Sequence, residues 1–487
     1  MITFIIGLAI LIVGSILYGT LCEKVFRPDD RKTPAVAMTD GIDYVPLPRW
    51  RNCLIQLLNI AGTGPILGPI QGILFGPIAF ITIPVGCVIG GAMHDYMSAM
   101  ISVRNGGAQM PSLVRKYLGK VPYVVFSIVV APALLLAGTV FTYVPGDLIV
   151  SQFMPKSINP AVIWIVYGVI FAYYFLATLL PIDKIIGKIY PIFGLLLLLS
   201  SVGVLGGILL KGYPLDELWN IGVIGVHPQG LHFFPVFFVT VACGIVSGFH
   251  STQSTLISRT LRHEKDGKAV FYFMMIAEGL IAMIWAAAAM GVMNMNLADT
   301  ATSPTDVVGV VAKNMLGTVG GTVAILGVIV LPITSGDTAL RAMRVSVAEV
   351  LHLKQKSAAS RLLLSAVIFA CACGILIFAK TNANGFGILW RYFGFANQLI
   401  AVFVFSIISV YLMKHGKTPL MSIIPGAFYA FIVIAFITNA DIGFRLPYTA
   451  SLIIGGVAAC AFIIATVLRG QHEKKLYSGR TAVREMD

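Results

Sequence analysis

The residues of this chain that could do chemistry are ionisable or hydroxylic side chains set in otherwise apolar stretches. Asp95 follows His94, His250 stands in a run of Ser, Thr and Gln, and Glu278 and Asp337 each interrupt a long apolar segment. An ionisable group in hydrocarbon is costly, so each one reads first as part of an ion or proton path. His250 can titrate near neutral pH. Asp95 can gate or relay protons. Asp337, preceded by the hydroxyls of Thr334 and Ser335, can hold a hard cation or a proton. Each has a plainer reading as well. Asp95 can pair with Arg104, Asp337 can pair with Arg341 one helical turn on, and Glu278 can be a structural hydrogen-bond partner. Asn397 and Gln398 either bond helix to helix or line a pathway.

These side chains need elements that hold them at membrane depth, and two stretches suggest how. Ile60-Ala61-Gly62-Thr63-Gly64-Pro65-Ile66-Leu67-Gly68-Pro69 carries three glycines and two prolines in ten residues. An uninterrupted helix disfavours that density, because Pro lacks a donor and Gly adds backbone freedom. Ala242 to Thr255 crowds Gly244, Ser247, Gly248, His250, Ser251 and further hydroxyls into one apolar segment. Irregular backbone at membrane depth survives only where protein or a water-filled cavity satisfies it. A pair of such breaks in two halves of a chain points to the substrate and ion site of a secondary transporter. Half-helix N-termini suit a carboxylate, and freed carbonyls suit a cation. Gly62, Thr63, Gly64, Pro65, Gly244, Ser247, Gly248, His250, Ser251, Asn397 and Gln398 are therefore the substrate-binding candidates. Thr334, Ser335, Asp337, Asp95 and His250 are the coupling candidates.

Composition bounds the class. A hydrophobic fraction of 57%, charged residues at 11% and a mean hydropathy of +0.89 exclude both an ordinary soluble globule and a disordered chain. Apolar runs near twenty residues without alternation indicate helices rather than a membrane barrel. The net charge of +13 reads as cytoplasmic-loop bias rather than affinity for nucleic acid. The seven cysteines form no C-x-x-C pair, and no metalloprotease, nucleophile-elbow or phosphate-loop motif is present. An enzyme, a bound metal and a cofactor are thus not expected.

The reading is an all-α polytopic membrane protein of about 13 transmembrane helices. Placing the N-terminus outside and the C-terminus in the cytoplasm puts 28 of the 34 Lys and Arg on the cytoplasmic side. An extra N-terminal helix occupies 1–22, kept as a span rather than cleaved as a signal. A cytoplasmic loop (23–55) and a first five-helix repeat (56–210) follow. Residues 211–233 form an outer loop, 234–413 a second five-helix repeat and 414–468 two C-terminal helices. Residues 469–487 form a cytoplasmic tail. Five spans per repeat make the repeats inverted, a leucine-transporter-like 5+5 layout. The outer loop 294–320 either caps an outward vestibule or simply connects.

Several motifs, in this order, resemble the carbon starvation protein A (CstA) family in its short form. They are Asp40-Gly41-Ile42-Asp43-Tyr44-Val45-Pro46, the first break, Ala242-Cys243-Gly244-Ile245-Val246-Ser247-Gly248-Phe249-His250, Asp337-Thr338 with Arg341, and Phe393-Gly394-Phe395-Ala396-Asn397-Gln398. The resemblance implies a bacterial inner-membrane secondary transporter of the amino acid–polyamine–organocation superfamily. It also implies uptake of peptides during carbon starvation or, in some members, proton-coupled uptake of pyruvate. The chain departs from the long form in two respects. Ile55 and Gln56 stand where long members carry a His pair, and a large insertion in the second half is missing. Peptides are the first substrate expected and pyruvate the second, with H⁺ or Na⁺ as the coupling ion. A membrane sensor that binds nutrient without moving it is the rival from another class.

Overall fold

The computed structural model describes residues 1–487 apart from 42–43, 156, 180–182, 223–226, 352, 354–357 and 485–487. Ile42 and Asp43 of the first-loop motif, and Lys156, Lys354 and Lys356 of the loop charges, lie outside the described residues. The principal helices are α1 (Ile2–Phe26), α2 (Arg49–Ile60), α3 (Gly64–Gly72), α4 (Ala79–Gly86), α5 (Met93–Arg104), α6 (Met110–Tyr117), α7 (Lys120–Phe153), α8 (Val162–Leu179), α9 (Asp183–Lys211), α10 (Ala242–Ile245), α11 (Gly248–Ile257), α12 (Phe273–Asn294), α13 (Pro304–Val350), α14 (Ala358–Thr381), α15 (Gly385–Lys414), α16 (Leu420–Asn439) and α17 (Tyr448–Arg484). Among the described residues, nine helices are long and apolar enough to cross a bilayer, or ten if the bent pair at the first break counts as one span. The chain is a multi-pass helical membrane protein.

Packing groups these helices around the two breaks. α3 lies against α12, α7 and α9 both pack on α13, and α15, α16 and α17 pack on one another. α1 covers α4 and α12. Its first turn would leave amide donors without partners. Glu217 supplies acceptors, taking hydrogen bonds from the amides of Ile2 and Thr3, each at 2.8 Å. α13 is bent where Gly317 takes φ 72°, a left-handed conformation that glycine adopts without the Cβ clash.

The first loop docks on the end of the bundle that carries residues 259–266. Thr33 donates to the Leu261 carbonyl at 2.6 Å, and Asn52 and Thr260 bond each other through side chains at 2.7 Å. The Glu264 side chain, with no exposure, accepts from Arg104 at 3.0 Å and from the Asp29 amide at 3.1 Å. Arg104 also lies 4.2 Å from the centre of the Phe26 ring. Removing one partner of a buried ion pair leaves the other charge without compensation, at about 3–5 kcal/mol. Glu264→Ala is therefore expected to lower stability by about 3 kcal/mol. A fall in the thermal midpoint of the detergent-solubilised protein would report it, and an unchanged midpoint would contradict it.

Candidate functional site

The first break interrupts the path between α2 and α3. The axes of Arg49–Ile60 and Gly64–Phe75 differ by 48°. Pro65 stands in the first turn of α3, where its missing N–H has no helical acceptor to lose. Thr63 precedes α3 and its carbonyl accepts the Leu67 amide at 2.9 Å. The second break is two extended residues, Val246 (φ −148°, ψ 125°) and Ser247 (φ −131°, ψ 121°), between α10 and α11.

α10 and the short helix Phe238–Thr240 ahead of it pack against α3 and α15. A Cβ on Gly64 would stand 2.4 Å from that of Cys243, and one on Gly394 would stand 1.8 Å from the Val239 carbonyl oxygen. The Phe238–Thr240 segment is thus held between α3 and α15, and α15 side chains take its carbonyls. Gln398 donates to the Phe238 carbonyl, and Trp390 donates to the Thr240 carbonyl at 2.8 Å. The Asn397 carbonyl lies against Gly248 at the start of α11. Ser251 bonds back to the Gly248 carbonyl at 2.6 Å. Of the substrate-binding candidates, Gly64, Gly244, Gly248, Asn397 and Gln398 make contacts across helices here, and Gln398 ties helix to helix; Gly62, Thr63, Pro65, Ser247 and Ser251 follow them only as neighbours in the chain.

Beside these contacts lies a buried chain of four titratable groups. Asp95 on α5 receives His94 Nδ1 at 2.8 Å on one oxygen and His250 Nδ1 at 3.1 Å on the other. His250 Nε2 lies 3.5 Å from the Glu278 carboxylate on α12. All four side chains are buried to within 1%. A wider π-type turn stands ahead of each acid-bearing helix, at Cys87–Ala92 and at Lys268–Tyr272, a feature frequent at functional sites.

His250 thus stands between two acids: its Nδ1 hydrogen-bonds Asp95, and its Nε2 faces the Glu278 carboxylate from 3.5 Å. A charge held between them is offset by a neighbour of opposite sign, where an isolated one at this depth would be far more costly.

The Asp95–Arg104 pairing open from the sequence does not form, since Arg104 binds Glu264 and Asp95 binds the two histidines. Asp337, Thr334 and Ser335 gather elsewhere. Asp337 accepts from Tyr173 of α8 at 3.3 Å and lies 3.6 Å from Arg341, the helical pairing allowed for above. The Thr334 and Ser335 hydroxyls donate to the Leu331 carbonyl of their own helix, at 2.8 and 3.1 Å. Among the described residues no three His, Cys, Asp or Glu side chains form a metal-binding group.

One further feature was not singled out as a site from the sequence. A cavity of about 390 Å³ opens beside α3 and reaches Thr240. Gln71, Phe75, His227, Gln229 and Arg391 line it, and residues 300–305, just ahead of and at the start of α13, form part of its wall. His227 is buried on the Phe75 ring, 4.5 Å between centres. Burial, with the Arg391 guanidinium nearby, pushes its pKa down to about 4, so it is neutral at pH 7. A signal for Arg391 was present: in the topology expected from the sequence it is one of only six cations on the side poor in Lys and Arg.

The fold is that of a membrane transporter. The manganese transporter of Eremococcus coleocola superposes on 90% of this chain and 99% of its own, with a TM-score of 0.57 at 12% identity, a likeness of fold alone. The profile of the carbon starvation protein CstA family matches residues 1–220, 164–321 and 308–436, and the chain belongs to that family. An uncharacterized membrane protein of Haemophilus influenzae is 39% identical over 331 residues, 58% of this chain and 89% of that one. The peptide transporter CstA of Mycobacterium tuberculosis is 27% identical over 56% of this chain and 44% of its own length. The pyruvate/proton symporter BtsT of Escherichia coli is 26% identical over 54% and 45%. The chain thus spans under half the length of these two named relatives. These named relatives and the structural neighbour are transporters, not enzymes.

Proposed function

We propose that this chain is a proton-driven importer of a small carboxylate-bearing nutrient in the bacterial inner membrane, with peptides the first substrate and pyruvate the second. The His94–Asp95–His250–Glu278 chain carries the reading. It places His250, between two acids, on α11, the half-helix whose N-terminus opens the second break. Substrate carboxylate meets the half-helix ends at Thr63–Gly64 and Ser247–Gly248. His250 then senses both the substrate and the proton, which is what coupling requires. This geometry favours H⁺ over Na⁺, and over the Thr334–Ser335–Asp337 group as the coupling site. The names of the relatives support both substrates. The thirteen-span layout with two inverted five-helix repeats, N-terminus outside and C-terminus inside, is part of the proposal. The loop charges support it.

Uptake by the purified protein in liposomes tests the reading. Labelled dipeptide and labelled pyruvate are offered under an inward proton gradient and, separately, an inward sodium gradient. Accumulation under the proton gradient alone is expected. Sodium-driven accumulation would overturn the coupling assignment, and binding without counterflow of label would replace the importer by a sensor.

A further inference from the structure

The outer cavity carries a cationic group that neither the breaks nor the proton chain uses. Arg391 reaches its wall from the outer half of α15. Among the described residues the guanidinium makes no hydrogen bond and no ion pair. Asp441 acts on it only from beyond ion-pair distance. The other cation in the wall, Lys380, is already tied to Asp147, whose carboxylate also takes the Thr305 hydroxyl. Among the described residues no Asp or Glu lines the cavity, and His227 is neutral there. One positive charge without an ion-pair partner therefore faces a polar space lined by the carboxamides of Gln71, Gln229, Asn382 and Asn384.

That lining selects a chemical class. A divalent cation would find repulsion and no carboxylate ligand. A carboxylate would find the planar, two-pronged donor that matches its geometry, in a setting where water is partly excluded. The surrounding carboxamides donate and accept, as peptide groups do. The volume of about 390 Å³ falls in the usual range for small-molecule sites. Thr240, the residue next to the Val239–Gly394 contact, is part of the cavity wall, so the space borders the segment that leads into the second break.

We propose that this cavity is an outer receptor site at which Arg391 binds the free carboxylate of the incoming nutrient, a short peptide, before it reaches the half-helix ends. The site rests on the importer reading and adds to it the group that selects a free C-terminal carboxylate.

Equilibrium binding of labelled alanyl-alanine and of its C-terminal amide to the full chain in nanodiscs tests the site, with proteoliposome uptake alongside. The wild type is expected to prefer the acid over the amide by about tenfold, one charge-assisted contact's worth. Arg391→Gln should remove that preference and raise the KM for uptake with little change in maximal rate. Arg391→Lys should keep part of it, and decides the matter if the Gln variant does not fold. Equal binding of acid and amide by the wild type, or wild-type Kd and KM in Arg391→Gln, would overturn the receptor site and leave the importer reading standing. Arg391-dependent binding with no counterflow would keep the site and remove the importer. Neither binding nor uptake of acid by the wild type would remove both.

Discussion

Asp95→Asn is expected to cut proton-driven uptake about 100-fold, the low end of what positioned acid–base groups contribute. Asparagine keeps the size of the side chain but removes the anion that both imidazoles face, at 2.8 and 3.1 Å. A protonated His250 then lacks its compensating charge, and the chain can no longer hold its proton at that position. His250→Gln and Glu278→Gln should give the same loss, because each removes one side of the His250–Glu278 contact. Exchange of labelled for unlabelled substrate across the membrane needs no net proton movement and should survive in Asp95→Asn and Glu278→Gln, whereas His250→Gln also removes a residue that meets the substrate. The pH dependence of uptake is the decisive readout. If Asp95→Asn and His250→Gln both kept it, the buried chain would be structural and the coupling proposal would be wrong.

Gly394→Ala should be among the most damaging single-methyl changes in the protein. The added carbon would stand 1.8 Å from the Val239 carbonyl oxygen, a backbone atom of the short helix Phe238–Thr240 ahead of α10. Relief requires that segment to move, and the Gln398 and Trp390 hydrogen bonds to the neighbouring carbonyls of Phe238 and Thr240 depend on its position. Overpacking of this kind costs about 1–3 kcal/mol, and each lost hydrogen bond about 1 kcal/mol more. A total near 3–5 kcal/mol rivals the whole stability of many proteins, about 5–15 kcal/mol. Folded yield and the thermal midpoint in detergent should both fall. Gly374→Ala is the matched control. Nothing stands within 4 Å of its added carbon, and alanine favours a helix by about 1 kcal/mol over glycine. Equal behaviour of the two variants would mean that the crossing at Val239 is not tightly held.

How much could be read in the chain before its fold was known differs from residue to residue. The first break falls inside the Gly- and Pro-rich run 60–69, because missing donors and a missing Cβ act on the backbone where they stand. The second lies at Val246–Ser247, within the stretch rich in Gly and Ser, although neither extended residue is itself a glycine. The partner of Asp95 was less legible. Arg104 stands on the same helix and invites pairing, yet Glu264, 160 residues further on, takes it. Asp95 goes instead to His250, 155 residues away. Arg391 looked like a polar residue at the start of a span, and only the converging outer segments make it the wall of a cavity.

The amino-acid sequence by itself determined the solvent this protein lives in, the family it belongs to and the places where its helices break. Hydropathy sums over neighbouring residues, and Gly and Pro change the backbone locally, so both are properties of short windows. Only the tertiary structure decided which polar groups meet. Asp95, His250 and Glu278 each carry the same burial cost wherever they stand in a span, and no window of sequence says which of them offsets which. That is set by how the tertiary packing places α5, α11 and α12, with α5 lying directly on α11.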